Sequence, residues 1–337
     1  MASTLFFIRN CFFTLLFAFD LGKVSSTGET VDVTEIRRPM MRSTSAENDG
    51  DFTLRDWSLF FGISFIWGSS FLLIAEALEG LTPGTVTLGR VGLGAVTLWT
   101  IRALRPNQPR IDPTDYGRLV MLSLLWVAIP FTLFPLAQEH INSAVTGLLN
   151  GATPVFAGLV SAILLKIVPK GVQLLGIVVG FVGIVLISVG SAGGGSSEVE
   201  GILMVLAATI CYGFAVNLAA PLQRTYGAVV TMSGVLGLAT LWVLPLGLWT
   251  IGDNDWRVGP VLAVVFLGAV GTGLAYWIMA ALVGRVGPIR ASFITYLIPV
   301  VSLVLGITLR DDIVRAVALV GAALTIGGAL LASRRKS

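Results

Sequence analysis

The chain is short of nearly everything that soluble chemistry uses. Its 337 residues include one histidine and two cysteines, Cys11 and Cys211. These leave no disulfide framework and no CxxC pair, and a single imidazole argues against a histidine-based metal centre. Charge is scarce as well: Asp, Glu, Lys and Arg make up 12% of the residues, where an ordinary soluble domain has about 25%. The length alone would allow two soluble domains, but 22 basic and 19 acidic residues are too few to solvate them. Disorder is excluded by 55% hydrophobic residues and a mean hydropathy of +0.88. What remains is an all-α polytopic membrane protein.

A bilayer core about 30 Å thick needs about 20 apolar residues per helix. Ten stretches after Asp56 meet that need: Trp57–Leu78, Gly84–Leu104, Tyr116–Gln138, Ser143–Leu165, Val172–Val189, Gly201–Pro221, Ala228–Ile251, Pro260–Val283, Ile289–Leu309 and Ile313–Ala332. Lys and Arg sort the connections into two alternating classes. Sixteen fall on one side, among them Arg102, Arg105, Arg110 and Arg118, against Arg257, Arg310 and Arg315 on the other. The positive-inside rule then places both termini in the cytoplasm, as an even number of crossings requires. Residues 1–55 read as a disordered cytoplasmic tail. Leu5–Phe19 is apolar, but Arg9 interrupts it and Asp20 ends it, so it is too short to span and lacks the leading positive charge of a signal peptide.

Shifting the chain against itself by 145 residues aligns several features without gaps. Trp67-Gly68 meets Tyr212-Gly213, Pro154-Val155 meets Pro299-Val300, and Gly176 and Gly183 meet Gly321 and Gly328. One constant offset linking helices 1, 4 and 5 to helices 6, 9 and 10 is a repeat signal. Five helices is an odd number, so the second copy enters the membrane inverted. Inverted repeats are a recurrent plan of secondary transporters, with the substrate near the midplane between the copies. The expected division is a first repeat over 56–190 and a second over 200–333.

Residues Phe65-Ile66-Trp67-Gly68-Ser69-Ser70-Phe71, Arg90 early in helix 2, Ala152-Thr153-Pro154-Val155-Phe156, Leu297-Ile298-Pro299-Val300 and the paired glycines of helices 5 and 10 occur in an order and spacing that is familiar. From Trp57 to Ala332 the chain resembles the EamA-type carriers of the drug/metabolite transporter superfamily. The resemblance implies ten helices in an inverted 5+5 arrangement and export of amino acids or other small metabolites across the cell membrane. The family pattern places a glutamate after helices 4 and 9. Here the first copy reads Lys166-Ile167, and only the second keeps acids, Asp311 and Asp312.

An ionisable group inside a bilayer is a functional candidate by default. Arg90 lies seven residues after Pro83, about 10 Å below the outer boundary on a straight helix. Two roles fit it: an anchor for a substrate carboxylate, or a structural pair with a helix C-terminus, Glu76 or Glu139. Trp67, Tyr212, Asn150, Asn217, Tyr276, Trp277 and Tyr296 are the other substrate-binding candidates, since small-molecule sites are mostly apolar and aromatic with a few placed polar groups. For the aromatics the competing role is packing or interfacial anchoring, and for Asn150 an interhelical hydrogen bond. Gly147-x-x-x-Gly151 and Gly176-x-x-x-Gly180 allow close helix packing, and helices 5 and 10 suit a scaffold or a homodimer face. Gly268-Ala-Val-Gly271-Thr-Gly273 has no strand before it and is not a phosphate loop.

No ATP-binding motif, cofactor site or metal site is expected, and the chain has no paired intramembrane carboxylates for an intramembrane enzyme. The expected partners are a small-molecule substrate and the lipid bilayer, not nucleic acid. A channel or a non-transporting sensor is the alternative, though a channel calls for a polar stripe through several helices. Proton coupling needs a carboxylate that titrates while facing a cavity, and Glu76 and Glu139 are the candidates. At least one of Glu76→Gln and Glu139→Gln is expected to flatten the pH dependence of flux in proteoliposomes. An unchanged profile in both variants would remove the two acids from any coupling role.

Overall fold

The computed structural model describes residues 52–105, 107–164, 169, 171–191 and 196–333. The N-terminal tail expected over 1–55 therefore lies outside the described residues up to Asp51, and so does the Lys166-Ile167 departure. Among the described residues the chain is helical, with no strand. Ten helical segments follow in order: α1 (Leu54–Leu78), α2 (Pro83–Ala103), α3 (Pro113–Gln138), α4 (Ser143–Leu164), α5 (Val172–Ser191), α6 (Ser196–Tyr226), α7 (Ala228–Trp249), α8 (Val258–Val286), α9 (Arg290–Arg310) and α10 (Ala316–Ala332). Eight of them are long and apolar enough to cross a membrane. The other two are α2, which carries Arg90 and Arg102, and α10, which has 17 residues.

Local chemistry sets the helix ends. Thr53 and Asp56 form a capping box, so α1 begins three residues before the apolar run that announces it. Thr82 caps α2 with Pro83 in the first turn, and Asn142 caps α4. At the α6–α7 corner the chain turns on Gly227, whose φ of +79° suits glycine alone. Four helices change geometry within the bundle, two of them at a break. In α1, Ser69 separates Leu54–Gly68 from Ser70–Leu78, and the Ser69 and Ser70 hydroxyls both donate to the Ile66 carbonyl. Such back-bonding bends helices. In α4, Gly151 and Ala152 separate Ser143–Asn150 from Thr153–Leu164. Pro154 cannot donate to the Asn150 carbonyl one turn back, and the Thr153 hydroxyl does so instead at 2.8 Å.

A change of another kind occurs twice. Ser123–Ala128 in α3 and Phe266–Leu274 in α8 are π-helical. A shift of 145 residues carries the first onto 268–273, inside the second. Such bulges are rare and concentrate at functional sites. In α8 the Thr272 hydroxyl donates to the Leu267 carbonyl five residues back, the reach that a widened turn allows.

Packing between the halves depends on glycine. A Cβ on Gly68 of α1 would strike Val301 of α9, and one on Gly213 of α6 would strike the backbone of Phe156 in α4. Helices α5 and α10 approach backbone to backbone. A Cβ on Gly176 would lie 2.6 Å from the Gly328 carbonyl, and one on Gly183 would lie 2.5 Å from that of Gly321. The glycines of α5 and α10 thus face each other within one chain. Residues from the α1–α2, α3–α4, α7–α8 and α9–α10 connections gather at one end of the bundle.

This packing predicts a contrast between adjacent glycines. Gly328→Ala would press its methyl group against the α5 backbone, whereas Gly327 faces open space. Overpacking of this kind costs about 1–3 kcal/mol. Gly328→Ala should lower the melting temperature in detergent while Gly327→Ala leaves it unchanged. Equal melting temperatures would contradict the close approach.

Candidate functional site

Near the middle of the bundle lies a cavity of about 170 Å³. Its wall draws on helices from both sides of residue 190: Trp67, Ser70 and Phe71 of α1, Arg90 of α2, Trp126, Phe131 and Phe134 of α3, and Asn150 and Thr153 of α4. Tyr212 and Val216 of α6, Tyr276 of α8, and Thr295 and Ile298 of α9 complete it. Rings dominate and pack on one another, two pairs of them edge to face. Trp67 meets Tyr276 with centroids 5.9 Å apart and planes at 67°. Phe71 meets Phe134 at 5.4 Å, and Phe134 in turn meets Tyr212 at 6.0 Å. Contacts of this geometry stabilise by about 0.5–1.5 kcal/mol beyond area burial, so the wall is stiff.

Arg90 is the one charged residue on the described wall. It is 6% exposed. Its Nε donates to Thr272 Oγ1 at 3.3 Å, and its guanidinium lies over the Phe131 ring at 3.8 Å from the centroid. The expected structural partners are placed elsewhere. Glu76 is bound by Arg310, whose Nη1 lies 2.8 Å from Glu76 and 2.9 Å from Glu79. Glu139 is exposed at the edge of a different cavity. Among the described residues Arg90 pairs with no carboxylate. An unneutralised cation in such a place is costly: insertion scales give about 2.5–3.5 kcal/mol at a helix centre. Thr272 and Phe131 offset part of that cost.

Of the eight substrate-binding candidates read from the sequence, the structure brings Trp67, Arg90, Asn150, Tyr212 and Tyr276 to this cavity. The other three lie outside its wall. Asn217 donates to the Ala157 carbonyl at 3.3 Å and to the Gly213 carbonyl at 2.8 Å, tying α6 to α4. Trp277, one residue past Tyr276, packs in the neighbouring apolar cluster and takes the Arg105 guanidinium over its ring at 5.6 Å. Tyr296 reaches the Ala329 carbonyl of α10 at 3.4 Å, while Thr295 beside it lines the cavity. A helix turns about 100° per residue, so Trp277 and Tyr296 leave the wall that their neighbours Tyr276 and Thr295 line.

The sequence reading did not single out Phe131, Phe134, Phe71, Ser70, Trp126, Thr153, Val216, Thr295 or Ile298 as wall residues. A usable signal existed for Phe131, because the 145-residue offset pairs it with Tyr276. Thr272 was hidden in the glycine-rich run Gly268–Gly273, whose geometry is π-helical.

At the end of the bundle where those four connections meet there is an open cavity of about 670 Å³. Its rim carries Glu79, Glu139, Asp253, Asp255, Arg310 and Asp312. Asp312 accepts from the Ser143 hydroxyl at 2.6 Å and from the Ala144 amide at 2.9 Å, which fixes the start of α4 against the end of α9. At the opposite end, Arg285 of α8 is paired with Asp56 of α1.

The EamA-like transporter family matches residues 57–189 and again residues 199–334. An uncharacterized transporter of Bacillus subtilis, YdfC, is 27% identical over 78% of this chain and 86% of its own. An uncharacterized transporter of Archaeoglobus fulgidus is 25% identical over 80% of this chain and 95% of its own. The uncharacterized inner membrane transporter YedA of Escherichia coli is 24% identical over 75% of this chain and 82% of its own. A crystal structure of a protein 21% identical covers 82% of this chain and 96% of that one with a TM-score of 0.58, a likeness of fold. With its apolar helices and a family match over most of its length, the chain is a multi-pass membrane transporter and belongs to the EamA-like transporter family.

Proposed function

We propose that the chain is a secondary carrier that moves small metabolites, amino acids or related compounds, outward across the cell membrane by alternating access. The observation that carries this reading is the central cavity, whose wall is shared between the two stretches that match the family. Ten spans, two repeats over 56–190 and 200–333, and cytoplasmic termini complete it. Reciprocal contacts support the inverted relation. Gly176 backs onto Gly328 as Gly183 backs onto Gly321, and Gly68 packs on Val301 as Gly213 packs on Phe156. In both pairs the 145-residue offset exchanges one contact for the other. A two-fold axis in the membrane would generate this pattern and would give inward-open and outward-open states of similar energy.

In this reading the end contacts part by turns. On the outer side Arg310 with Glu76 and Glu79, and Asp312 with Ser143, join α9 to α1 and α4. On the cytoplasmic side Arg285 with Asp56 joins α8 to α1. Each must open for the substrate to leave on its side.

The test is counterflow in proteoliposomes preloaded with a panel of amino acids and organic acids. Saturable exchange is expected from the wild type and a loss of about tenfold or more from Trp67→Ala, which removes the ring that braces Tyr276. Conductance or leak of the same solutes without saturation would replace the carrier with a channel.

A further inference from the structure

We infer that, within the class of small metabolites proposed above, the cavity favours the organic acids over the amino acids: a small monoanion, its carboxylate carried on a body about the size of one ring, in preference to a zwitterion or an amine. The inference rests on the carrier reading for how the ligand reaches the site. Its substance comes from the groups on the wall.

Arg90 has five N–H donors in a planar fork. Nε is taken by Thr272, and one face lies on Phe131. Among the described residues the donors on Nη1 and Nη2 meet no protein acceptor, and Arg90 lines the cavity. A carboxylate presents two oxygens at the spacing that a guanidinium edge accepts, so one carboxylate satisfies these donors together. Thr272 is a positioning residue, because its hydroxyl fixes the fork from behind through Nε.

The remaining wall argues against a second charge on the ligand. No Asp or Glu stands among its described residues. The hydroxyls of Ser70, Thr153 and Thr295 each donate to a backbone carbonyl in their own helix, which leaves only neutral lone pairs, weaker partners for an ammonium than a carboxylate. An ammonium group would therefore lose its water, face ring edges and neutral oxygens, and share the cavity with Arg90. Rings offer an ammonium some attraction, but the neighbouring guanidinium opposes it in a medium of low dielectric. A carboxylate with an apolar body meets no such opposition, since Trp67, Phe71, Phe134 and Tyr212 surround the rest. Volume bounds that body. A cavity of about 170 Å³ is close to the engineered apolar cavity of about 150 Å³ that takes up benzene.

Three ligands on nearly the same skeleton separate the charge states: phenylacetate, phenylglycine and benzylamine, titrated into purified protein in nanodiscs by calorimetry. Phenylacetate is expected to bind about tenfold or more tightly than phenylglycine, with benzylamine weakest. Arg90→Gln should weaken phenylacetate roughly thirtyfold or more and erase the preference. Should Arg90→Gln fail to fold, Arg90→Lys and Thr272→Val decide the role of the fork: Arg90→Lys should keep the order of the three ligands with lower affinity, and Thr272→Val should weaken phenylacetate alone. Absence of phenylacetate binding at millimolar concentration, equal or tighter binding of phenylglycine or benzylamine, or unchanged phenylacetate binding in Arg90→Gln would overturn the inference. Failure of the carrier reading looks different. Anion-selective binding without counterflow would remove the carrier and leave the anion site, whereas counterflow of zwitterions indifferent to Arg90 would keep the carrier and remove the site.

Discussion

A guanidinium carried into the interior of an apolar bundle gives up its water and must recover the loss from its neighbours. Arg90 does so only in part. A hydrogen bond to a charged group contributes about 1.5–3 kcal/mol and a ring face about 0.5–2 kcal/mol, together comparable with the cost of inserting the charge. The bond to Thr272 is long at 3.3 Å, which puts its contribution at the lower end. The arginine is thus tolerated without being satisfied. That residual demand gives the cavity a direction, because its described wall is otherwise rings, two aliphatic side chains, hydroxyls and one amide.

Holding such a group in place requires helices that approach closely and do not shift, and small residues supply the approach. Helix α2 packs on α8 at Gly94, where an added Cβ would lie 2.7 Å from Thr272 Cγ2. The residue that positions Arg90 is therefore pressed against the backbone of the helix that carries it. The π-helical segment of α8 makes this possible, since the widened turn brings the Thr272 hydroxyl to a carbonyl five residues back while its lone pair faces Arg90. Binding geometry and helix packing share the same few residues here.

The helical membrane fold, the family and the place of Trp67, Arg90, Asn150, Tyr212 and Tyr276 on one cavity were legible in the sequence, because each leaves a one-dimensional mark: an apolar run, a charge inside it, a matched pair at a fixed offset. Facing was not. In a helix that is apolar on every side, the pattern does not tell which side meets a cavity, so Trp277 and Tyr296 could not be separated from Tyr276 and Thr295. The π-helical segments were also hidden, since no composition rule distinguishes Ser123–Ala128 from ordinary helix. Boundaries moved where polar chemistry outlasted apolarity. Helix α6 starts at Ser196 on a polar first turn and runs past Pro221 to Tyr226, while the apolar run alone spans Gly201–Pro221.

On this view the Nη1 and Nη2 edge of Arg90 takes a ligand carboxylate. The most direct measurement is a crystal structure of the protein soaked with 4-bromobenzoate, with the bromine located by anomalous scattering. The account predicts bromine among the rings of Trp67, Phe71, Phe134 and Tyr212, with the carboxylate on Nη1 and Nη2 of Arg90. Bromine elsewhere in the molecule, or Arg90 already turned onto a protein carboxylate, would contradict it.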